Sequence, residues 1–337
     1  MAVRVGFNGF GRIGRNIFRV LYGRDDIEVR AIADLASPEG MAYLLNFDSI
    51  HGKFEEQVTV AADRLFAKGR AIAIIGGQRQ IAPGDVRWRD HDVDIVIEAS
   101  GRFRTRKELE KHLEAGARRV ILTVPPRDEI DRVVVFGLND HGLDARSKIV
   151  SNASCTANAL GLLCKVLHEA FGIDKAAMTT VHAYTNDARL ADVPHEEIRR
   201  SRAAAENIIP AHTHSVELVQ RLIPALAGRL IGQAVNVPVP DGSVIDLTAV
   251  LSRAVSPAEV NEVFRSAARS RLTGVLEYCE QPIVSSDVIG NPHSAIFDSL
   301  ITKVLDGRMV KTVAWYDNGW GYANRVVDLV ERLARTL

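Results

Sequence analysis

A chain of 337 residues exceeds the size at which one hydrophobic core usually stops growing, so two domains are expected. Hydrophobic residues make up 47% and charged residues 25%, and 42 Lys+Arg balance 42 Asp+Glu, which excludes intrinsic disorder and gives no global electrostatic case for nucleic acid or an anionic membrane. Cys155, Cys164 and Cys279 are too few and too scattered for a disulfide framework or a CxxC zinc site, and the N-terminus reaches Arg4 and a glycine cluster without an apolar signal segment, so a reducing, cytoplasmic setting without a metal is expected.

Residues 3–7 form a short apolar run followed by glycines, and residues 16–21 continue with helical spacing, which predicts strand, turn and helix. Further strands are predicted over 27–32, 70–75, 93–98, 119–122, 132–136 and 148–150, with a crossover helix over 107–117. This alternation predicts a doubly wound (Rossmann) α/β domain. Beyond it, a helix over 157–171 precedes strands over 177–182, 231–238, 244–250, 299–304 and 309–316, an α+β pattern with a mainly antiparallel sheet. A closing helix over 322–336 carries Val326, Leu329, Val330 and Leu333 on one face. The chain therefore divides near Ser151: residues 1–151 form one domain, completed by a C-terminal helix within 318–337, and residues 152–317 form the other.

Gly9-Phe10-Gly11-Arg12-Ile13-Gly14 fits GxGxxG, and Asp34 lies twenty positions after Gly14 at the end of the second strand. In that context the glycines let backbone approach a pyrophosphate, the helix N-terminus balances its charge, and the carboxylate accepts from ribose hydroxyls. Asp34 would repel a 2′-phosphate, so NAD is expected over NADP. Cys155 stands between a strand and a helix signal in SNASCTAN, where a helix N-terminus lowers a thiol pKa. His182 ends a β-branched strand and opens a polar loop, so it is the expected base for Cys155. His91, His112 and His168 sit among charges and are read as solvated, and Cys164 as a packing residue.

The segments NGFGRIGR, LLNFDSIHGKF, SNASCTAN, TTVHAYTND, PHEEIRRSRAAAENIIP, VSSDVIGNPHSAIFD and WYDNGWGYANRVVDL resemble the phosphorylating glyceraldehyde-3-phosphate dehydrogenase family nearly end to end. The resemblance implies that Cys155 attacks an aldehyde, that His182 takes the hydroxyl proton as hydride leaves for NAD, and that inorganic phosphate releases an acyl phosphate. It places Asn318 at the nicotinamide carboxamide, and Arg12, Ile13, Asp34, Arg79 and Thr123 on or near other cofactor positions. Ser154, Thr156, Thr185, Arg200 and Thr213 match the family's phosphate positions, Pro194 matches its NAD-preferring loop, and a homotetramer is implied.

Asn236 stands where the family carries an arginine for the substrate phosphate, and His214 where it usually has glycine. Glu217 and Gly319 replace a common lysine and glutamate. The readings are therefore a glyceraldehyde-3-phosphate dehydrogenase, a relative retuned to erythrose 4-phosphate or a less charged aldehyde, or a non-catalytic NAD-binding paralogue.

Overall fold

The computed structural model describes residues 2–77 and 81–337, in two compact units. The first comprises residues 1–134, 140–153 and 323–337, and the second 135–139 and 154–322.

The first unit contains β1 (Val3–Asn8), α1 (Arg12–Tyr22), β2 (Ile27–Asp34), α2 (Pro38–Asn46), β3 (Thr59–Ala61), β4 (Arg64–Ala67), β5 (Arg70–Gly76), β6 (Ile95–Glu98), α3 (Arg106–Glu114), β7 (Arg119–Leu122), β8 (Arg132–Val133) and β9 (Ile149–Ser151). They form one sheet in the order β8-β9-β7-β6-β1-β2-β5-β4-β3, parallel from β8 to β5, with β4 and β3 added antiparallel. The apolar runs are central strands: every residue of β6 and β7 is buried, as a parallel sheet covered on both faces requires. Strand order reverses at β1, with β2 on one side and β6 on the other, so the crevice at the C-terminal end of β1 is the topological switch point.

The differences from the sequence reading have local causes. The strand expected over 132–136 stops at Val133, because the Val135 N–H is taken by Asn139 Oδ1 at 2.9 Å and the chain turns. Helix α3 ends at Glu114 because Gly116 follows with φ 114°, and a Cβ there would lie 2.9 Å from the Arg89 nitrogen. His112 is not solvated. It is fully buried, accepting from Trp88 Nε1 through Nδ1 at 2.9 Å and facing Glu98 Oε2 through Nε2 at 3.0 Å. Since Trp88 can only donate, the imidazole proton is on Nε2 and points at the carboxylate. Glu98 also accepts from Asn8 Nδ2 at 2.5 Å and Ser100 N at 2.9 Å. His112→Ala therefore strands a buried indole N–H and weakens the hold on a buried carboxylate, an expected loss of about 3–5 kcal/mol. In a thermal melt this should lower Tm by about 6–20 °C; a change under about 2 °C would show that water replaces the imidazole at no cost.

The second unit contains α4 (Cys155–Phe171), β10 (Ile173–Ala183), β11 (Ile209–Ala211), α5 (Ser215–Leu222), β12 (Leu230–Val237), β13 (Ser243–Leu251), α6 (Pro257–Arg269), β14 (Leu276–Cys279), β15 (Ala295–Leu305) and β16 (Met309–Tyr316). Its sheet order is β11-β12-β10-β13-β16-β15-β14, antiparallel except for β10 with β12 and β14 with β15. Along β13 every second residue is buried, from Ser243 through Ile245, Leu247 and Ala249 to Leu251. Helix α4 is buried almost throughout and includes Cys164, which packs as expected. Phe264 of α6 stacks on Phe297 of β15 with centroids 3.9 Å apart. The last helix, α7 (Trp320–Ala334), buries Val326, Leu329, Val330 and Leu333. No helix among the described residues is long and apolar enough to cross a membrane.

Candidate active site

In the first unit, the β1–α1 turn is shaped by backbone crowding. Gly9 has φ 97°, and a Cβ there would lie 2.5 Å from Ser100 N; a Cβ on Gly14 would lie 2.7 Å from Gly9 O. Gly11 begins α1 with no side-chain cap and open space where its Cβ would be, so the helix N-terminus beginning at Arg12 and Ile13 has room for an anion. Asp34, at the end of β2, accepts from Phe10 N at 2.5 Å with Oδ2 and from Ala36 N at 2.8 Å with Oδ1, leaving lone pairs on both oxygens. Thr123 follows β7, and its hydroxyl donates to Glu98 O at 3.0 Å. These residues form a cradle whose glycine geometry and carboxylate suit a dinucleotide. Arg79 lies outside the described residues.

The second unit resumes at Ser154, which follows Ala153, a non-glycine residue with φ 57°, and whose hydroxyl caps α4 by accepting from Ala157 N at 3.1 Å. Cys155 is thereby the first residue of α4, and its Sγ lies 3.5 Å from His182 Nε2 at the end of β10. His182 Nδ1 donates to Ala183 O at 2.6 Å, so Nε2 is the acceptor that faces the thiol. The Cys155 side chain retains some solvent surface, yet packing around Sγ pushes the thiol up to about 11, against hydrogen bonds from Thr156 that lower it. This corrects the expectation of a low-pKa thiol. Burial pushes His182 down, against its bond to Ala183 and the charge of Asp241. The resting pair is a neutral thiol beside a neutral imidazole, poised for proton transfer.

The residues expected at phosphate positions fall into two groups. Ser154 Oγ lies 2.9 Å from Ser215 Oγ at the start of α5, so the N-termini of α4 and α5 meet beside the nucleophile and favour an anion there. Thr213 Oγ1 accepts from Ser215 N at 3.2 Å, and His214 precedes α5 with its ring edge-on to His212 at 4.6 Å. Asn236 on β12 is the register partner of His182 on β10, which puts both on one face of the sheet. By contrast, Thr185 and Arg200 are both bound to Asp187, and Arg200 Nε also meets Glu197 at 3.2 Å.

Sequence reasoning missed the buried layer that supports the pair. Tyr316 Oη bridges Thr156 Oγ1 at 2.9 Å and Thr180 Oγ1 at 2.8 Å, and its ring lies edge-on to His182 with centroids 5.9 Å apart. Burial holds its phenol far above the usual value, so it remains a neutral donor. Ser243 Oγ accepts from Ala183 N at 3.0 Å and donates to Asn318 Oδ1 at 2.9 Å. Thr180, Ser243 and Tyr316 come from neighbouring strands whose register no local pattern encodes.

Residues 3–106 match the family model described as glyceraldehyde 3-phosphate dehydrogenase, NAD binding domain, and residues 154–318 match the model of the C-terminal domain of the same enzyme. The chain is 48% identical over 335 residues to a glyceraldehyde-3-phosphate dehydrogenase of Geobacillus stearothermophilus, covering 99% of each chain. It is 47% identical over 346 residues to that of Mycobacterium leprae, covering 100% of both. Against glyceraldehyde-3-phosphate dehydrogenase 2 of Bacillus subtilis it is 46% identical over 335 residues, 99% of this chain and 97% of that one.

Proposed function

The chain belongs to the glyceraldehyde-3-phosphate dehydrogenase family, and from that premise we propose that it oxidises glyceraldehyde 3-phosphate, with NAD and inorganic phosphate, to 1,3-bisphosphoglycerate and NADH through a thioester on Cys155. The observation that carries this reading is the 3.5 Å approach of Cys155 Sγ to an imidazole whose tautomer is fixed with Nε2 as acceptor.

Cys155 passes its proton to His182 and Sγ bonds to the aldehyde carbon; the proton then goes to the new alkoxide, giving a thiohemiacetal. His182 Nε2 next takes the hydroxyl proton as that carbon is oxidised to a thioester. NAD, when bound, supplies the two-electron oxidant by accepting hydride. Gly9, Phe10, Gly11, Arg12 and Ile13 would hold its pyrophosphate, Asp34 its adenosine ribose and Asn318 its carboxamide, while Arg79 and Thr123 stand at other cofactor positions by resemblance. Phosphate, held beside the α4 and α5 N-termini by Ser154, Thr156, Thr213 and the backbone near His214, attacks the thioester carbon and expels the Cys155 thiolate. Thr185, Arg200 and Asn236 are assigned to the substrate's own phosphate.

The test follows NADH formation with glyceraldehyde 3-phosphate, erythrose 4-phosphate and unphosphorylated glyceraldehyde, each with and without inorganic phosphate. Phosphate-dependent turnover on the first with the highest kcat/KM supports the assignment; a preference for either other aldehyde overturns the substrate. Binding of NAD without turnover on any overturns the activity.

Asn236 favours weighing the second, retuned reading, because an amide cannot supply the bidentate cation of an arginine. If the phosphorylated aldehyde is the substrate, Asn236→Arg should lower its KM about tenfold or more, the equivalent of one charge-assisted bond of about 1.5–3 kcal/mol. An unchanged KM would show that another group already binds that phosphate.

We assign the functional form to a homotetramer. Leu190 is 92% exposed, Ile198 85% and Ile208 70%, all on the segment between β10 and α5, a concentration of apolar surface that a second copy would cover. Sedimentation equilibrium of the purified chain tests this, and a monomer at micromolar concentration would rule it out.

A further inference from the structure

We propose that Ser243 is a positioning residue whose single hydroxyl sets both the orientation of the Asn318 amide and the tautomer of His182. Its Asn318 half rests on the assignment of Asn318 to the nicotinamide carboxamide in the proposed function.

The argument is a donor count. Ser243 is fully buried, so bulk water does not compete for it. Ala183 N–H can only donate, and Ser243 Oγ accepts it at 3.0 Å. The Tyr316 hydroxyl also lies in hydrogen-bond contact with Ser243, and the Ser243 proton goes to Asn318 Oδ1 at 2.9 Å. The carbonyl end of Asn318 is thus turned to Ser243, and Nδ2, with two donors, is the end presented to a ligand. That selects a ligand group offering an acceptor, such as a carboxamide oxygen. Without Ser243, the two nearly isosteric ends of the amide could exchange.

The same hydroxyl reaches the base through Ala183. The Ala183 N–H is tied to Ser243, and its carbonyl accepts from His182 Nδ1 at 2.6 Å. Holding Ala183 keeps the proton on Nδ1 and leaves Nε2 facing Cys155 at 3.5 Å. The approach to Ser243 is itself constrained. Gly242 has φ 83°, and a Cβ there would lie 2.0 Å from Ser285 O, so only glycine delivers the chain into β13 at this angle. Within the sheet, Ser243 is the register partner of Tyr316, which places it in the layer behind the pair.

The experiment compares wild type, Ser243→Ala, Asn318→Ala and the double variant by two readouts that need no turnover: the Kd for NAD by calorimetry, and the rate of Cys155 alkylation by iodoacetamide against pH in the ligand-free protein. Ser243→Ala should weaken NAD about five- to tenfold, in line with one lost hydrogen bond, and slow alkylation at pH 7 several-fold. Asn318→Ala should weaken NAD at least as much, and the double variant should bind NAD no more weakly than Asn318→Ala. Ser243→Thr, which keeps the hydroxyl, should restore both readouts. Normal NAD binding by Ser243→Ala with weakened binding by Asn318→Ala overturns this inference alone, as do multiplying effects in the double variant or an unchanged alkylation profile. Normal binding by Asn318→Ala overturns the Asn318 assignment, and the amide half of the inference with it. If Ser243→Ala does not fold, Ser243→Cys replaces it, keeping the volume with a much weaker donor, and mass spectrometry of the Cys155 peptide separates the two thiols.

Discussion

Replacing His182 by alanine is expected to lower kcat by about 10²–10⁴-fold and to change how Cys155 responds to pH. In the resting site the thiol is pushed up to about 11 and the imidazole is pushed down, both chiefly by burial. The pair therefore holds one proton between a lower limit below the ordinary histidine value and an upper limit near 11. Within that window Cys155 can become a thiolate by passing its proton 3.5 Å to Nε2, with no net exchange with solvent. Below the lower limit the imidazole is already protonated and accepts nothing, so reactivity falls on the acid side. In His182→Ala only solvent can remove the proton, and burial that pushes the thiol up leaves little of it ionised at pH 7. Iodoacetamide alkylation of the variant should then rise about tenfold per pH unit through the neutral range, where the wild type is flat. Wild-type rates at pH 7 in the variant would refute the assigned base.

That prediction depends on a feature the sequence misjudged. A cysteine at a helix N-terminus reads as a low-pKa thiol, and the position was legible from SNASCTAN. The dipole contributes about 0.3–1 kcal/mol at an exposed site, whereas burial opposes the thiolate more strongly here, and burial depends on what neighbouring strands bring. The same division runs through the fold. β6 and β7 are continuous apolar runs and were legible because a parallel central strand is buried on both faces. β3 and β4 are three and four residues long at a sheet edge, too short for periodicity to register. Helix α6 was missed although Ser256, Pro257 and Glu259 spell a capping box with proline at the first turn. Charged neighbours in sequence made His112 look solvated, whereas its α3 position turns it inward toward Trp88 and Glu98. Cys155 and His182 were found because each sits at the end of an element, where chain pattern marks it. Ser243, Thr180 and Tyr316 belong to strand interiors or starts, and only the register of β10, β13 and β16 shows that they meet.

Cys155→Ser should reduce NADH formation by at least about 10⁴-fold, within the range set by removing a covalent nucleophile. The substitution changes one atom but raises the cost of ionisation, because an alcohol is a far weaker acid than a thiol and the site that pushes the thiol up to about 11 opposes an alkoxide in the same way. His182, itself pushed down, cannot compensate. The fold should persist, since Ser154 and not Cys155 caps α4, so Tm should stay within about 2 °C of wild type. NAD binding should persist too, because the glycine turn and Asp34 are untouched. Cys164 and Cys279, both buried, supply the control. Cys164 is fully buried, with its thiol pushed up to about 12, so it should neither label nor matter to rate. Iodoacetamide should inactivate the wild type with about one equivalent incorporated, all of it at Cys155, and Cys164→Ala should keep full activity. Turnover of Cys155→Ser within tenfold of wild type would show that no bond to Sγ lies on the path, and the thioester mechanism would have to be abandoned.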